Sequence, residues 1–217
     1  MALFPDLTCD DIFRLETKRL WLRWLRASDA PALGAIASQA DVANKTASIP
    51  HPYPQGEAAR FILEARAETV AGRALILAVT TKTKSQTFIG IVSAQAGDPH
   101  EVEIGYVIAP TAAGQGLGSE ATAALVDAIF NLTEARAVTA NSRTINPASR
   151  RVLENCGFAF KRSGLHHLPA RGGQYPCDFF VLDRRDWSAR QRGGRLPAMT
   201  HQRKPQVQDA IGEQAQQ

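Results

Sequence analysis

The segment from Pro110 to Ala121 contains the residue spacing best suited to binding chemistry. Gly114, Gly116 and Gly118 alternate with other residues between a predicted strand and a predicted helix. Because glycine lacks a Cβ, its backbone can take positive φ and let a ligand approach closely. The first N–H groups of the following helix have no partner inside the helix and suit phosphate oxygens. The segment therefore predicts a phosphate-binding loop.

Two other nucleotide-binding loops fit this segment less well. A P-loop ends in Gly-Lys-Ser/Thr, whereas Gly118 is followed directly by Ser119. A Rossmann loop turns directly from strand to helix and needs an acidic residue about twenty positions later. Here Pro110–Ala113 intervenes, and the next predicted strand ends at Asn141 without an acid. A plain structural turn is the remaining alternative, and it does not account for three glycines at a helix start.

Hydrophobic periodicity predicts the elements that must position this loop. Apolar runs and alternating patterns indicate strands, and apolar residues at helical spacing indicate helices. The predicted strands are Thr17–Arg26, Leu75–Val79, Phe88–Ser93, Val102–Ala109, Ala137–Ala140 and Asp178–Leu182. The predicted helices begin at Ser28, after Pro54, after the glycine loop and at Pro147, the last ending at Cys156. This order predicts a mixed α/β sheet.

The composition indicates one domain without a membrane span. The chain has 217 residues, of which 44% are hydrophobic, and this is enough for a core. No run approaches the roughly eighteen apolar residues of a membrane span, and the acidic N-terminus does not resemble a signal peptide. The three cysteines, Cys9, Cys156 and Cys177, are odd in number and widely spaced. They predict reduced thiols in the cytoplasm rather than a disulfide framework or a metal site.

The positive charge is concentrated near the C-terminus. The chain has a net charge of +4, and the segment from Trp187 onward contributes +3 of it with five basic and two acidic residues. The remaining domain is close to neutral, so nucleic acid is not predicted as a partner. The last seventeen residues contain six glutamines and few large apolar groups. We predict one domain over residues 1–187 and a basic, Gln-rich, disordered tail over 188–217, with an ordered dimer arm as the alternative.

Together these motifs resemble the GNAT superfamily of acyl-CoA-dependent N-acyltransferases, in its RimJ/RimL-type group. Each motif alone is loose, but their order and spacing are specific, and the resemblance covers residues 13–187. The matching stretches are Leu15–Arg23 with Ser28–Ala30, Glu103–Tyr106, Gly114–Ala121, and Asn146–Ser149 with Gly157–Phe158. One departure is Ala113, where the family usually has Gln, Arg or Trp. Because the loop binds through main-chain N–H groups, we expect weaker but retained cofactor binding.

The resemblance implies a fold and a cofactor site. The fold is α/β (α+β), with a mixed, mostly antiparallel twisted sheet of six or seven strands, flanked by helices and splayed at the fourth and fifth strands. Acetyl-CoA is the implied co-substrate, with no metal. The implied contacts are the N–H groups of Gly114, Gln115, Gly116, Leu117, Gly118 and Ser119 for the phosphates, the main chain of Val107 and Ile108 for pantetheine, beside a bulge at Gly105, and the side chain of Asn146.

Candidate catalytic and acceptor residues lie near these motifs. By resemblance, Ser149 would protonate the departing thiolate or hold it by a hydrogen bond. Glu103 is the first candidate base and would act through water. His51 and Tyr53, in a proline-rich loop, are candidates to line the acceptor pocket. For all of these, and for Asn146, an ordinary structural role is the alternative. RimL-like members carry a further glutamate where this chain has Leu168, so that base is not carried over.

The acceptor amine is predicted from the weakness of the available base. Deprotonating a lysine ε-amine at pH 7 costs about 4.6 kcal/mol, against about 1.4 kcal/mol for an α-amine. No histidine–carboxylate pair stands at a compelling spacing, which favours a protein or peptide N-terminal α-amine. A small-molecule amine acceptor and a non-catalytic acyl-CoA-binding module are the alternatives. We expect a cytoplasmic N-acetyltransferase that transfers the acetyl group by direct attack, without a covalent enzyme intermediate. We expect it to be a monomer or homodimer with no membrane partner.

Overall fold

Strands pair into one mixed sheet. The computed structural model describes residues 2–5 and 13–193. Within these residues the strands are β1 (Arg14–Glu16), β2 (Leu20–Trp24), β3 (Ala74–Thr81), β4 (Phe88–Ala96), β5 (Glu101–Ile108), β6 (Ala137–Arg143), β7 (Ala159–Leu168) and β8 (Gly173–Asp183). They lie in the order β1-β2-β3-β4-β5-β6-β8-β7. Only β5 and β6 among these neighbours run parallel, so the sheet is mostly antiparallel, as predicted.

Helices pack on both faces of this sheet. They are α1 (Ala30–Ala37), α2 (Ala40–Asn44), α3 (Glu57–Val70), α4 (Leu117–Leu132), α5 (Pro147–Cys156) and α6 (Arg184–Gly193). Helices α4 and α5 lie on one face, and α1 and α3 lie against β3 and β4 on the other. The sequence predicts α1, α3, α4 and α5, and α5 has the predicted bounds. Helix α2 was not predicted because it has only five residues.

The larger hydrophobic core lies between the sheet and α4. Leu22, Leu77, Leu125, Ile129 and Phe180 are all almost completely buried there. Burying a side chain of this size contributes about 1.5–3 kcal/mol relative to exposure. A smaller cluster under α1 and α3 completes the packing on the other face. The two clusters fix the sheet, and therefore the ends of the strands that border the site.

The number of strands is higher than the predicted six or seven. The two strands that were not predicted are β1, with three residues, and β7. Strand β7 is at the edge of the sheet and is exposed along most of its length. It therefore lacks the alternation of buried and exposed residues on which strand prediction depends. Its long pairing with β8 shows that tertiary contacts, and not local pattern, determine this strand.

Strands β5 and β6 separate shortly after they meet. They pair only through Glu101, Val102 and Glu103 of β5, which face residues 137–139 of β6. Beyond Glu103 the two strands splay, as predicted, although β1 makes them the fifth and sixth strands. The predicted bulge at Gly105 is wrong, because Gly105 pairs in unbroken register with Ser93 of β4. The opening comes with the loss of pairing to β6 and not with a bulge in β5.

The last described helix crosses the predicted domain boundary at residue 187. Helix α6 continues through residue 187 to Gly193. Residues 194–217 of the predicted tail lie outside the described residues, as does Cys9. Among the helices that the structure describes, none is both long and apolar enough to cross a membrane.

Candidate active site

A cleft opens where the splayed strand meets the glycine loop. Its volume is about 390 Å³. It lies between the last residues of β5, the first turn of α4, helix α5 and helix α2. The residues that line it include Asp41, Val42, Lys45, Thr46, Tyr106, Val107, Ile108, Gly114, Gly116, Gly118, Ser119, Asn146, Ser149, Arg151 and Asn155. The structure therefore brings together most of the predicted cofactor residues.

The glycine loop has the backbone geometry that the sequence predicts. Gly114 and Gly116 have φ values of +75° and +74°, in the left-handed region that favours glycine. Gly116 is the N-cap of α4, and the first helical hydrogen bond runs from Glu120 N–H to Gly116 O at 3.1 Å. The N–H groups of residues 117–119 precede that bond and are left for a ligand. The loop can therefore hold an anion at the helix start, where the helix dipole adds about 0.3–2 kcal/mol.

The start of α4 is held by the turn between β1 and β2. The Glu120 carboxylate accepts hydrogen bonds from Thr17 Oγ1 at 2.6 Å, Arg19 N–H at 2.7 Å and Arg19 Nε at 2.6 Å. Arg19 also donates to the Gln115 carbonyl at 2.8 Å. Burial raises the pKa of Glu120, but these hydrogen bonds outweigh it and lower the pKa below its ordinary value. The contact orients the peptide that enters the glycine loop.

The free edge of β5 offers a different main-chain pair from the predicted one. Ala109 N–H donates to Ile89 O, and Glu101 O accepts from Gly97 N–H, so the odd-numbered residues of β5 face β4. Main-chain groups alternate in direction along an antiparallel strand. The N–H and C=O groups that face the opening are therefore those of Tyr106 and Ile108. Ile108 therefore stays a predicted contact of the pantetheine arm. The main chain of Val107 faces β4 instead, although Val107 lies beside the cleft.

The first turn of α5 brings two hydroxyl groups together. Asn146 is the N-cap of α5, and its side chain accepts a hydrogen bond from Ser149 N–H at 3.2 Å. Tyr106 Oη lies 2.9 Å from Ser149 Oγ and donates to Ser149 O at 3.0 Å. Burial raises the pKa of Tyr106, so its hydroxyl keeps its proton at neutral pH. The sequence analysis did not name Tyr106 as a site residue. Its position two residues after Ile104, on the core face of β5, was the signal that could have indicated it.

Cys156 lies behind this turn and is not a candidate nucleophile. It is buried, and its thiol donates to Ser119 O at 3.4 Å. Burial raises the pKa of Cys156 to about 12, so the thiol stays protonated. Because the thiolate is the reactive form, the geometry indicates a packing role. This agrees with direct transfer, without a covalent enzyme intermediate.

Glu103 lies at the point where β5 and β6 separate. Asn141 of β6 donates to its carboxylate at 2.7 Å. Glu103 points to the opposite face of β5 from Tyr106, because side chains alternate along a strand. Tyr106 lines the cleft, whereas Glu103 is not among its lining residues and lies at the last pair between β5 and β6. The arrangement fits a base on one side of a reacting carbonyl and a hydroxyl donor on the other.

The two predicted acceptor residues lie away from this cleft. Tyr53 packs on the smaller hydrophobic cluster, next to Leu33 and Ile62, and burial raises its pKa. His51 is exposed. Neither is among the residues that line the cleft. Leu168, which stands where RimL-like proteins have a glutamate, is almost completely buried.

Comparisons with known proteins agree on a family and a fold. A family model described as the acetyltransferase (GNAT) domain matches residues 19–159. Similar solved structures include Mycobacterium smegmatis RimJ in complex with a CoA disulfide, with 22% identity over 80% of this chain and 87% of that chain and a TM-score of 0.68. The ribosomal-protein-S5-alanine acetyltransferase from Vibrio fischeri has 20% identity over 81% and 98%, with a TM-score of 0.68.

A third solved structure broadens the range of similar proteins. It is the microcin C7 self-immunity acetyltransferase MccE in complex with acetyl-CoA and AMP, with 18% identity over 77% of this chain and 93% of that chain and a TM-score of 0.67. At these identities the solved structures show a shared fold. No curated protein matches the sequence.

Proposed function

Because this chain belongs to the GNAT acetyltransferase family, we propose that it acetylates the N-terminal α-amine of a peptide or protein. The enzyme uses acetyl-CoA, in keeping with its family. The observation that carries the proposal is the meeting of three features at one cleft. These are the glycine loop, the free edge of β5, and the hydroxyl pair of Tyr106 and Ser149.

The cofactor position follows from these three features. The N–H groups of residues 114–119 would hold the diphosphate, since two glycines give the loop its left-handed turns. The amides of the pantetheine arm would pair with the main chain of Tyr106 and Ile108, as an added strand pairs with a free sheet edge. Asn146 uses its side-chain oxygen to cap α5, so its amide nitrogen is the atom left to donate to the cofactor.

The reaction needs one proton removed and one negative charge stabilised. Acetyl-CoA supplies the thioester that the amine attacks, and the C–S bond breaks as the C–N bond forms. Glu103 would accept the amine proton through water, held in place by Asn141. Ser149 would donate a hydrogen bond to the departing sulfur, while Tyr106 would turn its single hydroxyl proton from Ser149 O to Ser149 Oγ, 2.9 Å away. A positioned hydroxyl pair of this kind stabilises charge only as it develops.

The acceptor class follows from the base. Glu103 would act through water, and an α-amine needs only about 1.4 kcal/mol to lose its proton at pH 7. Two of the similar structures bear the names RimJ and ribosomal-protein-S5-alanine acetyltransferase. Both lines favour an α-amine over a lysine side chain. MccE, described with acetyl-CoA and AMP, keeps a small-molecule amine as the second candidate.

An acceptor screen tests the proposal. The intact protein would be incubated with acetyl-CoA and either a peptide library with free α-amines, the same library with blocked α-amines, or a panel of small amines. We expect release of CoA with the free library only, and mass spectrometry should place the acetyl group on the first residue. Lysine-containing peptides with blocked α-amines serve as the matched control.

Two results would contradict the proposal in different ways. Turnover confined to small amines would replace the peptide acceptor with the second candidate. Tight binding of acetyl-CoA without turnover of any amine would indicate a non-catalytic acyl-CoA-binding module.

A further inference from the structure

Two arginines donate hydrogen bonds to the same loop, which follows α2. Arg143, at the end of β6, donates to Asn44 O, and Arg171, in the turn between β7 and β8, donates to Ile49 O. Ala170 N–H also donates to Ala47 O at 3.1 Å. The loop that follows α2 is therefore held by both arginines at once.

Tyr175 joins the two arginines into one cluster. The Arg143 guanidinium carbon lies 4.9 Å from the centre of the Tyr175 ring. Tyr175 Oη donates to Arg171 O at 3.3 Å. The contact with the ring and the hydrogen bond to Asn44 O together restrict the Arg143 guanidinium. The cluster is a preformed donor set and not a pair of mobile surface arginines.

Neither arginine has an acidic partner in residues 2–5 and 13–193. No ion pair there includes Arg143 or Arg171. The Nε atom of each is buried and has no hydrogen-bond partner in the same residues. The nearby acids are already engaged, since Asp178 accepts from Arg150 and Ser163, and Asp41 accepts from Lys45. Since no carboxylate in these residues balances either guanidinium, the pair suits a ligand that carries negative charge.

The cluster borders the place where the acceptor amine must sit. Arg143 is two residues after Asn141, which holds Glu103, so both side chains lie on one face of β6. Two residues of a strand span about 7 Å. Lys45 and Thr46, next to the carbonyl that Arg143 holds, line the cleft itself. An amine beside Glu103 thus has Arg143 within the reach of one or two residues of its own molecule.

We propose that Arg143 and Arg171 bind a carboxylate of the acceptor, so that the enzyme selects α-amines that carry a carboxylate within one or two residues. The inference rests on the proposed α-amine acetylation. The carboxylate is either an acidic side chain in the first two residues of a peptide or the α-carboxylate of a free amino acid. The terminal N–H groups of a guanidinium match carboxylate geometry, and a carboxylate there would balance the two positive charges.

Kinetics with matched acceptors test this site. Peptides that begin Ser-Asp, Ser-Asn, Asp-Ser and Asn-Ser, together with free serine and serine amide, would be compared with the intact protein and acetyl-CoA. We expect kcat/KM to be about tenfold or more higher for each carboxylate acceptor than for its amide partner. Arg143→Met and Arg171→Met should each reduce that ratio towards one, while the amide acceptors change little.

Two further variants control for charge and folding. Arg73→Met removes a cation that pairs with Glu68 far from the cleft, and it should keep the wild-type preference. Arg143→Lys keeps the charge but loses the fork, and it should keep part of the preference. It also provides a readout if a methionine variant unfolds. A preference for free serine alone would assign the site to the α-carboxylate of amino acids.

Equal kcat/KM for carboxylate and amide acceptors would overturn the carboxylate site and leave α-amine acetylation intact. The same conclusion follows if both methionine variants keep the preference. If no acceptor is acetylated, the proposed function fails. Calorimetric binding of Ser-Asp and Ser-Asn peptides to the protein–CoA complex then decides the site separately, and equal binding overturns it.

Discussion

Tyr106 shows how one strand can serve the core and the site together. Its ring packs against the larger core, while its hydroxyl lies 2.9 Å from Ser149 Oγ at the cleft. Burial raises the pKa of the phenol, so the group acts as a donor and not as a phenolate. Ser149 alone has the ordinary position of a residue in the first turn of a helix. The neighbouring phenol is what makes it a candidate for charge stabilisation.

At this scale we expect Ser149→Ala to lower kcat about tenfold or more, with a smaller change in acetyl-CoA affinity, because the lost hydroxyl acts on the departing sulfur. Tyr106→Phe should have a similar effect, since it keeps the ring in the core. The double variant should be little worse than either single one, because the two hydroxyls act as a unit. Steady-state kinetics and calorimetry provide the two readouts.

The matched control is Ser38→Ala, which removes a hydroxyl that donates to Gly34 O at the end of α1. It should leave kcat unchanged. Equal turnover in the wild type and Ser149→Ala would remove Ser149 from the mechanism.

At the scale of secondary-structure elements, the turn before β2 holds the start of helix α4. Glu120 and Arg19 are far apart in sequence, but their contacts fix how the chain enters the first turn of α4. Gly118 lies close to two neighbouring elements, since an added Cβ would make ordinary contacts at 3.4 Å from Val152 of α5 and 3.6 Å from Ile108 of β5. The loop is thus shaped by its glycines and held by neighbouring elements. Cofactor affinity should depend on both.

For this element, we expect Gly116→Val to raise the Kd for acetyl-CoA about tenfold or more. A branched residue is strained at a φ of +74° and would turn the loop amides away from the phosphates. Gly56→Val is a close control, because Gly56 is the N-cap of α3 with a φ of +79° and has no atom near its missing Cβ. It carries the same strain away from the cleft.

Calorimetry and thermal melting separate the two effects. Both variants should lose stability, but only Gly116→Val should lose affinity. An unchanged Kd in a folded Gly116→Val protein would count against the loop as the phosphate site.

On the scale of the whole molecule, α6 packs against α4 and the end of α5. Trp187 donates to Asp127 of α4 at 2.7 Å, and Gln191 donates to the same carboxylate at 2.8 Å. Arg190 donates to Asn155 O and packs against Gly157 after α5. The helix therefore connects the C-terminal end of the described chain to α4 and α5, two of the helices that border the cleft. We propose that the folded domain extends to residue 193.

Truncation tests this boundary. A chain that ends at residue 193 should melt within about 2 °C of the full-length protein and keep its affinity for acetyl-CoA. A chain that ends at residue 187 loses the contacts of Arg190 and Gln191, which contribute about 1–2 kcal/mol together. Its melting temperature should fall by about 2–6 °C at this domain size. Equal melting temperatures of the two truncated chains would support a domain boundary at residue 187.

Local features of the site could be predicted because a few neighbouring residues determine them. Glycines at 114 and 116 permit the left-handed backbone that a turn into a helix uses, and both have it. Asn146 before Pro147 is a helix start by local chemistry, and α5 begins and ends at the predicted residues. These motifs, in their order, were enough to predict the family, the cofactor and the mostly antiparallel sheet.

Other features depended on pairing between distant segments, and only the tertiary structure decided them. The direction of each amide on β5 depends on its register with β4, which is why the main chain of Tyr106, and not that of Val107, faces the opening. Arg143 and Arg171 meet one loop through the pairing of β6, β7 and β8. The sequence by itself determined the backbone of the glycine loop, whereas strand register determined which side chains surround it, because register joins residues that no local pattern connects.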